Sequence, residues 1–167
     1  MAGAASNALG DRGEAIFRSI MTKFHGAMPL FRVQFLGDKW PTVDFICELE
    51  GDWVHFRPFC LVQVKTTRQG YTKTDQRLKV TLSLKDVRQL RRFKVPTYVV
   101  GIDELAERAF AVAAMGRTIS RLPSMHSAFE LTLSAGRRAL WTEVRDYWRT
   151  MKRQGSWSRF GEPRWIQ

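Results

Sequence analysis

The chain has 167 residues, of which 44% are apolar, and its formal net charge at pH 7 is +11. This length is typical of one domain with its own core, and the composition excludes wholesale disorder. The positive charge favours nucleic acid as a partner over a merely basic, solvated surface. No apolar run approaches membrane-spanning length and no signal-peptide pattern is present, so we expect a soluble, cytoplasmic protein with no membrane partner.

The periodicity of the apolar residues predicts a helix, three strands, a helix, two strands and a final helix. The predicted bounds are a flexible leader over 1–10, a helix from Asp11 or Gly13 that ends by Pro29, strands over 31–36, 42–50 and 58–67, a basic loop over 68–77, a helix over 85–93, strands over 96–102 and 108–113, and a helix over 137–153. Residues 78–84 fit either a strand or an extended edge, and residues 128–133 fit a short edge strand. This order predicts an α/β (α+β) domain with a mixed central sheet flanked by helices.

The first predicted helix has one apolar face, on which Phe17, Ile20, Met21 and Phe24 recur at helical spacing. Glu14 lies one turn before Phe17, near the edge of that face. Its carboxylate fits either a place in the first turn, where it favours the helix dipole, or a reach toward whatever the apolar face covers.

The third predicted strand carries an unusual charge. Alternation places Leu61, Gln63 and Lys65 on one face and Val62 and Val64 on the other. Burying an unpaired ammonium is costly, so an acid or an anion is expected opposite Lys65.

The second predicted strand supplies a candidate partner. Its alternation places Asp44 on the face opposite to Val43, Phe45 and Cys47. Cys47 and Cys60 fall on these two strands without metal-type spacing, and we expect them to be reduced core residues.

Pairing of these two strands would bring Asp44, Gln63 and Lys65 together, because opposed residues on one sheet face lie about 5 Å apart. A carboxylate and an amide oxygen suit Mg²⁺, and a lysine beside them can orient water or neutralise charge on a phosphate. The alternative is a structural Asp44–Lys65 ion pair with Gln63 hydrogen-bonded nearby. We expect the helix that carries Glu14 to cover this sheet face.

Four short motifs occur in a fixed order along the chain, and they are Gly13-Glu14, Val43-Asp44, Gln63-Val64-Lys65 and Pro96-Thr97-Tyr98-Val99-Val100-Gly101. Over residues 11–114 this order resembles the PD-(D/E)XK nuclease superfamily, and it is most similar to a bacterial domain family of unknown function with a D…QxK motif. The resemblance implies a restriction-endonuclease-like αβββαβ core over 11–116. Residues 117–167 would be an extension of the same domain, with a basic, Trp-rich helix and tail.

The resemblance also implies roles for individual residues. Asp44 would be the main ligand of Mg²⁺ or Mn²⁺, and Lys65 would be the catalytic lysine. Glu14 matches a helix-borne acid that contacts the metal through water, and the backbone carbonyl of Val64 is a further expected ligand. Gln63 stands where most members carry an acid; its amide oxygen can still ligate, but the missing negative charge should weaken metal binding.

Basic residues follow the predicted site and fill the carboxyl-terminal stretch, where Arg and Lys can contact phosphates. With two neighbouring threonines, the predicted nucleic-acid-binding residues are Thr66, Thr67, Arg68, Lys73, Arg77, Arg137, Arg138, Arg145, Arg149, Lys152 and Arg153. Trp141 and Trp148 are expected to pack in the core, whereas Trp157 and Trp165 could stack on unpaired bases.

The leading hypothesis is a metal-dependent endo- or exonuclease that hydrolyses phosphodiester bonds, of DNA rather than RNA, in defence, repair or mobile-element processing. The alternative is a catalytically silent nucleic-acid-binding or assembly module on the same fold. A third hypothesis is a toxin-like effector whose acidic protein partner neutralises the basic surface. The resemblance further implies a homodimer, since many relatives dimerise.

Overall fold

The computed structural model describes residues 2–37, 40–53, 56–115 and 123–151, with side chains from Asn7 onward. The elements are α1 (Ala2–Met21), β1 (Phe24–His25), β2 (Met28–Pro29), β3 (Phe31–Phe35), β4 (Phe45–Leu49), β5 (Phe59–Thr67), α2 (Leu84–Leu90), β6 (Thr97–Asp103), β7 (Arg108–Ala113) and α3 (Ser134–Met151). β1 and β2 form a small hairpin, and the other five strands form one sheet in the order β3-β4-β5-β6-β7. Only the β5–β6 pair is parallel within this sheet, so the predicted mixed α+β architecture is confirmed.

The first helix is longer at its start and shorter at its end than the sequence pattern predicted. It begins at Ala2 rather than at Asp11 or Gly13, so residues 2–10 are helical and not an irregular leader. Alanine is abundant in this stretch and has the highest intrinsic helix propensity, which explains the early start. The helix ends at Met21, and Phe24 lies in β1 with 71% of its surface exposed, so its assignment to the apolar helix face was wrong.

One face of the sheet is covered by α1 and α3. Phe17 of α1 packs on Phe45 with ring centroids 4.9 Å apart, and both belong to the same buried cluster as Val62 and Val64. Leu61 belongs to a second cluster on the opposite face. The predicted alternation along β5 is therefore confirmed.

The second face is covered by α2 and by the extended segment 71–82. Val87 and Leu90 of α2 pack with Val99 and with Val43. Val43 was predicted to share a face with Phe45, but Thr42 has a φ of 73° and the chain turns there before β4 begins. Strand alternation does not extend through such a turn, so that prediction was wrong.

The crossover from β5 to β6 contains α2, as a parallel pair requires. Ser83 and Asp86 form a capping box that fixes the start of this helix. Before it, Leu78 makes isolated bridges to Tyr71 and Met125 rather than a regular strand, so residues 78–83 are an extended edge segment, whereas Leu84 already belongs to α2.

The segment before α3 is attached to the edge strand β7 by a single bridge between Phe110 and Glu130, not by a strand over 128–133. Arg108 clamps Glu130 through two hydrogen bonds of 2.9 and 2.7 Å. In α3, Trp141 and Trp148 are half-buried against the core and donate their indole N–H groups to backbone carbonyls, as a packing role predicts.

Cys47 and Cys60 face each other across β4 and β5, and both are buried free thiols. Burial raises the pKa of the Cys47 thiol well above its ordinary value, which keeps the thiol protonated and unreactive. Within the described part of the chain, no helix combines the length and apolarity that a membrane span requires.

Gly13 sets how closely α1 approaches β5. A Cβ atom at this position would lie 1.7 Å from the hydroxyl oxygen of Thr66, whereas a Cβ atom at Gly10 would have no neighbour within 4 Å. Glycine is thus required at one position of α1 and replaceable at another position of the same helix.

We expect Gly13→Ala to push α1 away from β5 and lower the free energy of unfolding by about 1–3 kcal/mol, as overpacking does. Gly10→Ala is the matched control, and it should stabilise by about 0.5–1 kcal/mol because alanine favours the helix. Urea unfolding followed by circular dichroism measures both. Equal effects of the two substitutions would show that the contact with Thr66 does not constrain the helix.

Candidate functional site

The candidate site lies where β5 continues beyond the end of β4. The last paired position joins Phe45 to Val62, and the N–H of Asp44 still donates to the carbonyl of Val62 at 2.9 Å. From Val64 onward β5 has no β4 residue beside it. The site is therefore a notch in the sheet, open on the side of β5 that β4 does not reach.

Asp44 closes the inner end of this notch. Its Oδ2 accepts a hydrogen bond from the N–H of Val64 at 2.6 Å, and so replaces the ladder bond that β4 no longer supplies. Burial raises the pKa of Asp44 above its ordinary value, although the Val64 N–H and the charge of Lys65 act in the lowering direction. The carboxylate is thus fixed in place but its ionised form is disfavoured by its surroundings.

Gln63 is the most unusual polar group in the notch. The residue is 5% exposed, and its Oε1 is buried with no hydrogen-bond partner in the part of the chain that the structure describes. A buried amide oxygen without a partner is costly, since its desolvation is not compensated. Buried acceptors left in this way need an explanation, and a bound cation is one.

Lys65 and Glu14 complete the cleft. An open cleft of about 270 Å³ is lined by residues of α1, by the residue before β4 and by β5, namely Leu9, Gly10, Glu14, Asp44, Gln63, Val64, Lys65 and Thr66. The four residues predicted to carry the chemistry therefore line one cavity. Leu9, Gly10 and Glu14 of α1 border this cleft. The apolar residues that follow in the helix pack on the sheet face that carries Val62 and Val64. The expectation that α1 covers the face of Gln63 and Lys65 was wrong.

The structural ion pair that was the alternative interpretation of the site is absent. Among the described residues no salt bridge or hydrogen bond joins Lys65 to Asp44, and the two interact only through the weaker effect of their charges on each other. Lys65 is half-buried at the cleft, beyond the contact distance of an ion pair. Its ammonium group remains available to an anion that enters.

The oxygen groups of the cleft fit a hard divalent cation. Two carboxylates, from Asp44 and Glu14, and the unpartnered amide oxygen of Gln63 line the same space. Mg²⁺ commonly takes one or two carboxylates, keeps several waters and does not require a complete protein cage. No group of three or more His, Cys, Asp or Glu occurs among the described residues, which is consistent with an amide in place of a third acid.

Arg137 is a predicted nucleic-acid contact that the structure places in the interior. Its side chain is 3% exposed, and its guanidinium donates to the backbone carbonyls of Leu131 and Thr132, each at 2.9 Å. Arg137 therefore anchors the start of α3 to the preceding segment and cannot reach a phosphate on the surface. The positive charge in the sequence did not reveal this packing role.

Three more of these predicted contacts are engaged within the protein. Arg68 makes hydrogen bonds of 2.7 and 3.2 Å to Glu104, and Arg77 donates twice to Ser124. Thr67 is buried, and its hydroxyl accepts a hydrogen bond in the following turn. These contacts hold the strand end and the loop after it, and they leave less charge available there than the sequence suggested.

The remaining predicted contacts differ in accessibility. Thr66 lines the cleft, and Arg145 is half-buried beside Asp146 at 2.8 Å. Three cations are exposed: Lys73, Arg138 and Arg149. Four residues lie outside the described part of the chain: Lys152, Arg153, Trp157 and Trp165.

Two features of the site region were missed at the level of sequence. One is the steric reason for Gly13, which precedes Glu14 because only glycine lets α1 lie against Thr66. The other is a set of exposed cations on and after α2, at 85–94. Their density, five in ten residues, is a signal that the sequence carries.

The raised pKa of Asp44 predicts a stability effect that depends on pH. Because the folded-state pKa lies above the unfolded one, this carboxylate destabilises the fold once the pH rises through the folded-state pKa. We expect Asp44→Asn to raise Tm at about pH 8, since the neutral amide oxygen can still accept the Val64 N–H. The gain should vanish below about pH 3, where aspartate is neutral in both states.

Thermal unfolding across this pH range measures the effect, with the exposed Asp52 changed to Asn as the control. That control should show no comparable gain. A lower Tm for Asp44→Asn at every pH would mean that the ionised carboxylate stabilises the notch, contrary to the direction of its pKa shift.

Comparison with known proteins adds no relative to this description. No family model matches the chain, and no curated protein and no solved structure matches it either. The resemblance to PD-(D/E)XK nucleases therefore stays a prediction.

Proposed function

We propose that this protein is a divalent-metal-dependent nuclease with a restriction-endonuclease-like αβββαβ core, acting on DNA in preference to RNA. The observation that carries the proposal is the buried, unpartnered Oε1 of Gln63 in a cleft shared with Asp44, Glu14 and Lys65. The order of the elements α1, β3, β4, β5, α2 and β6 supports the proposed fold. The net charge of +11 supports a polyanionic substrate.

Mg²⁺ or Mn²⁺ would be held by Asp44, by the amide oxygen of Gln63, by Glu14 and by the backbone carbonyl of Val64. The bound ion would supply charge stabilisation at the scissile phosphate. Asp44 is suited to this position because the Val64 N–H already fixes one of its oxygens. Lys65 would hold the attacking water and neutralise charge that develops on the phosphate oxygens, since it forms no salt bridge with any described residue.

A second candidate function has one specific observation in its favour. Gln63 carries no charge where a third acid would strengthen metal binding, and Asp44 already serves the backbone of Val64. A catalytically silent nucleic-acid-binding module would need no metal at this notch. Metal binding therefore separates the two functions.

We expect isothermal titration calorimetry with Mn²⁺ to show binding to the wild type and none to Asp44→Asn. Gln63→Glu should tighten binding about tenfold or more, since it adds a negative charge at the ligand position. Asp52→Asn, which removes a carboxylate outside the cleft, should bind as the wild type does. Unchanged Mn²⁺ affinity in Asp44→Asn, or none in the wild type, would contradict the proposed site.

We expect cleavage of supercoiled, linear or branched DNA in the presence of Mg²⁺ or Mn²⁺, with RNA cut less well. Asp44→Asn and Lys65→Met should each lower the rate at least about 100-fold, the usual scale for loss of a catalytic group. Lys23→Met, an exposed lysine remote in sequence from the site, is the control and should cut normally. Equal cutting by the site variants and the wild type would refute the catalytic roles.

A further inference from the structure

α2 and the turn after it carry an uncompensated positive surface. Its five cations are all exposed, and none of them forms a salt bridge with a described residue: Lys85, Arg88, Arg91, Arg92 and Lys94. The acid of this helix is Asp86, which is used in the capping box with Ser83. With five cations against this one acid, residues 84–94 keep a strong positive charge.

Several cations elsewhere in the described part of the protein are paired with acids. Arg57 has Glu50 at 2.8 Å, and Arg108 has Glu130 at 2.7 Å. By contrast, Arg88 lies three residues after Lys85 on α2, a spacing at which like charges on a helix repel, and Arg92 follows in the turn after the helix. A polyanion laid across this stripe of cations would relieve the repulsion.

An exposed aromatic side chain borders the same stripe. Trp40 is 48% exposed and stacks on Phe93, with ring centroids 6.4 Å apart and an angle of 21° between the planes. Since nearly half of the surface of Trp40 is exposed, its ring is accessible to a base. Base stacking on such a ring between cations is the usual mode of binding single-stranded nucleic acid.

This surface is joined to the cleft by the segment that follows Trp40. The hydroxyl of Thr42 donates a hydrogen bond of 2.6 Å to the side chain of Gln89 in α2. Asp44 comes two residues later, so its Cα lies at most about 14 Å from that of Trp40. α2 also packs on the face of the sheet to which Leu61 belongs, and strand alternation places Gln63 on that same face.

We propose that Trp40 and the five cations of 85–94, together the α2 surface, bind single-stranded nucleic acid and lead the strand toward the cleft at Asp44. This inference rests on the proposed nuclease function, and it adds that the substrate is unpaired where it meets the enzyme. Trp40 would stack on a base, while Arg88 and Arg92 would contact phosphates. Duplex DNA has no free base face to offer to the indole, so it should bind less tightly.

The test is fluorescence anisotropy with labelled oligothymidine of about 20 nucleotides and with a duplex of the same length, in EDTA so that nothing is cut. Trp40→Leu keeps an apolar contact with Phe93 but removes the stacking ring, and it should weaken single-strand binding about tenfold. Trp40→Phe keeps a ring and should retain most of the affinity. Circular dichroism confirms that each variant is folded.

The charge arm uses Arg88→Gln/Arg92→Gln, matched to Lys23→Gln/Arg32→Gln, which removes the same charge from exposed residues outside the α2 surface. Loss of two phosphate contacts should reduce the slope of log affinity against log salt by about 1.4 for a single strand. The control should leave that slope unchanged. Equal losses in both double variants, tighter binding of the duplex, or equal affinity of Trp40→Leu and Trp40→Phe would overturn the proposal.

Binding of the wild type to phosphatidylserine vesicles but to neither nucleic acid would also overturn it. The nuclease function fails separately. A protein that binds oligothymidine through Trp40, Arg88 and Arg92 but cuts no substrate with Mg²⁺ or Mn²⁺ would refute the proposed activity and support the α2 surface. If the substituted variants cut DNA and bind the single strand as the wild type does, the α2 surface is refuted and the nuclease activity is supported.

Discussion

The hydrogen bond from the Val64 N–H to the Asp44 carboxylate is the interaction on which the cleft depends. β4 ends against β5 at this point, and a backbone N–H left without a partner there would be costly to bury. Asp44 satisfies the group at 2.6 Å and is held at the inner end of the notch as a result. The same contact thus completes the local backbone bonding and sets the position of a candidate metal ligand.

The close approach of α1 to β5 gives the notch its second wall. Because Gly13 has no Cβ, the helix lies directly against Thr66, and the next residue, Glu14, is carried to the cleft. Phe17 then anchors the helix one turn later by packing on Phe45. Packing of the core and presentation of an acid are therefore two consequences of one helix position.

Strong periodicity made much of this structure predictable from sequence. The strands, the β4–β5 pairing and the meeting of Asp44 with Gln63 all follow from alternation and register. The predictions that failed concern local geometry, which periodicity does not encode. The turn at Thr42 moves Val43 to the other face, and the burial of Arg137 depends on carbonyl groups six and five residues earlier, which no charge pattern reveals.

The cleft holds polar groups whose burial lowers the stability of the fold. Burial disfavours the charge of Asp44, and among the described residues the Oε1 of Gln63 has no hydrogen-bond partner and Lys65 forms no salt bridge. By contrast, Arg108 is paired with Glu130 at 2.7 Å. The buried amide oxygen of Gln63 is hard to explain as packing, because an apolar residue there would avoid its desolvation cost, whereas Asp44 also satisfies the Val64 N–H. A cation beside the two oxygen groups would offset the burial of both, and an anion beside Lys65 would pair its charge. A glutamine in place of an acid removes one negative charge from the notch. It therefore reduces the repulsion between acids when no ion is bound, and it also weakens the affinity for the ion.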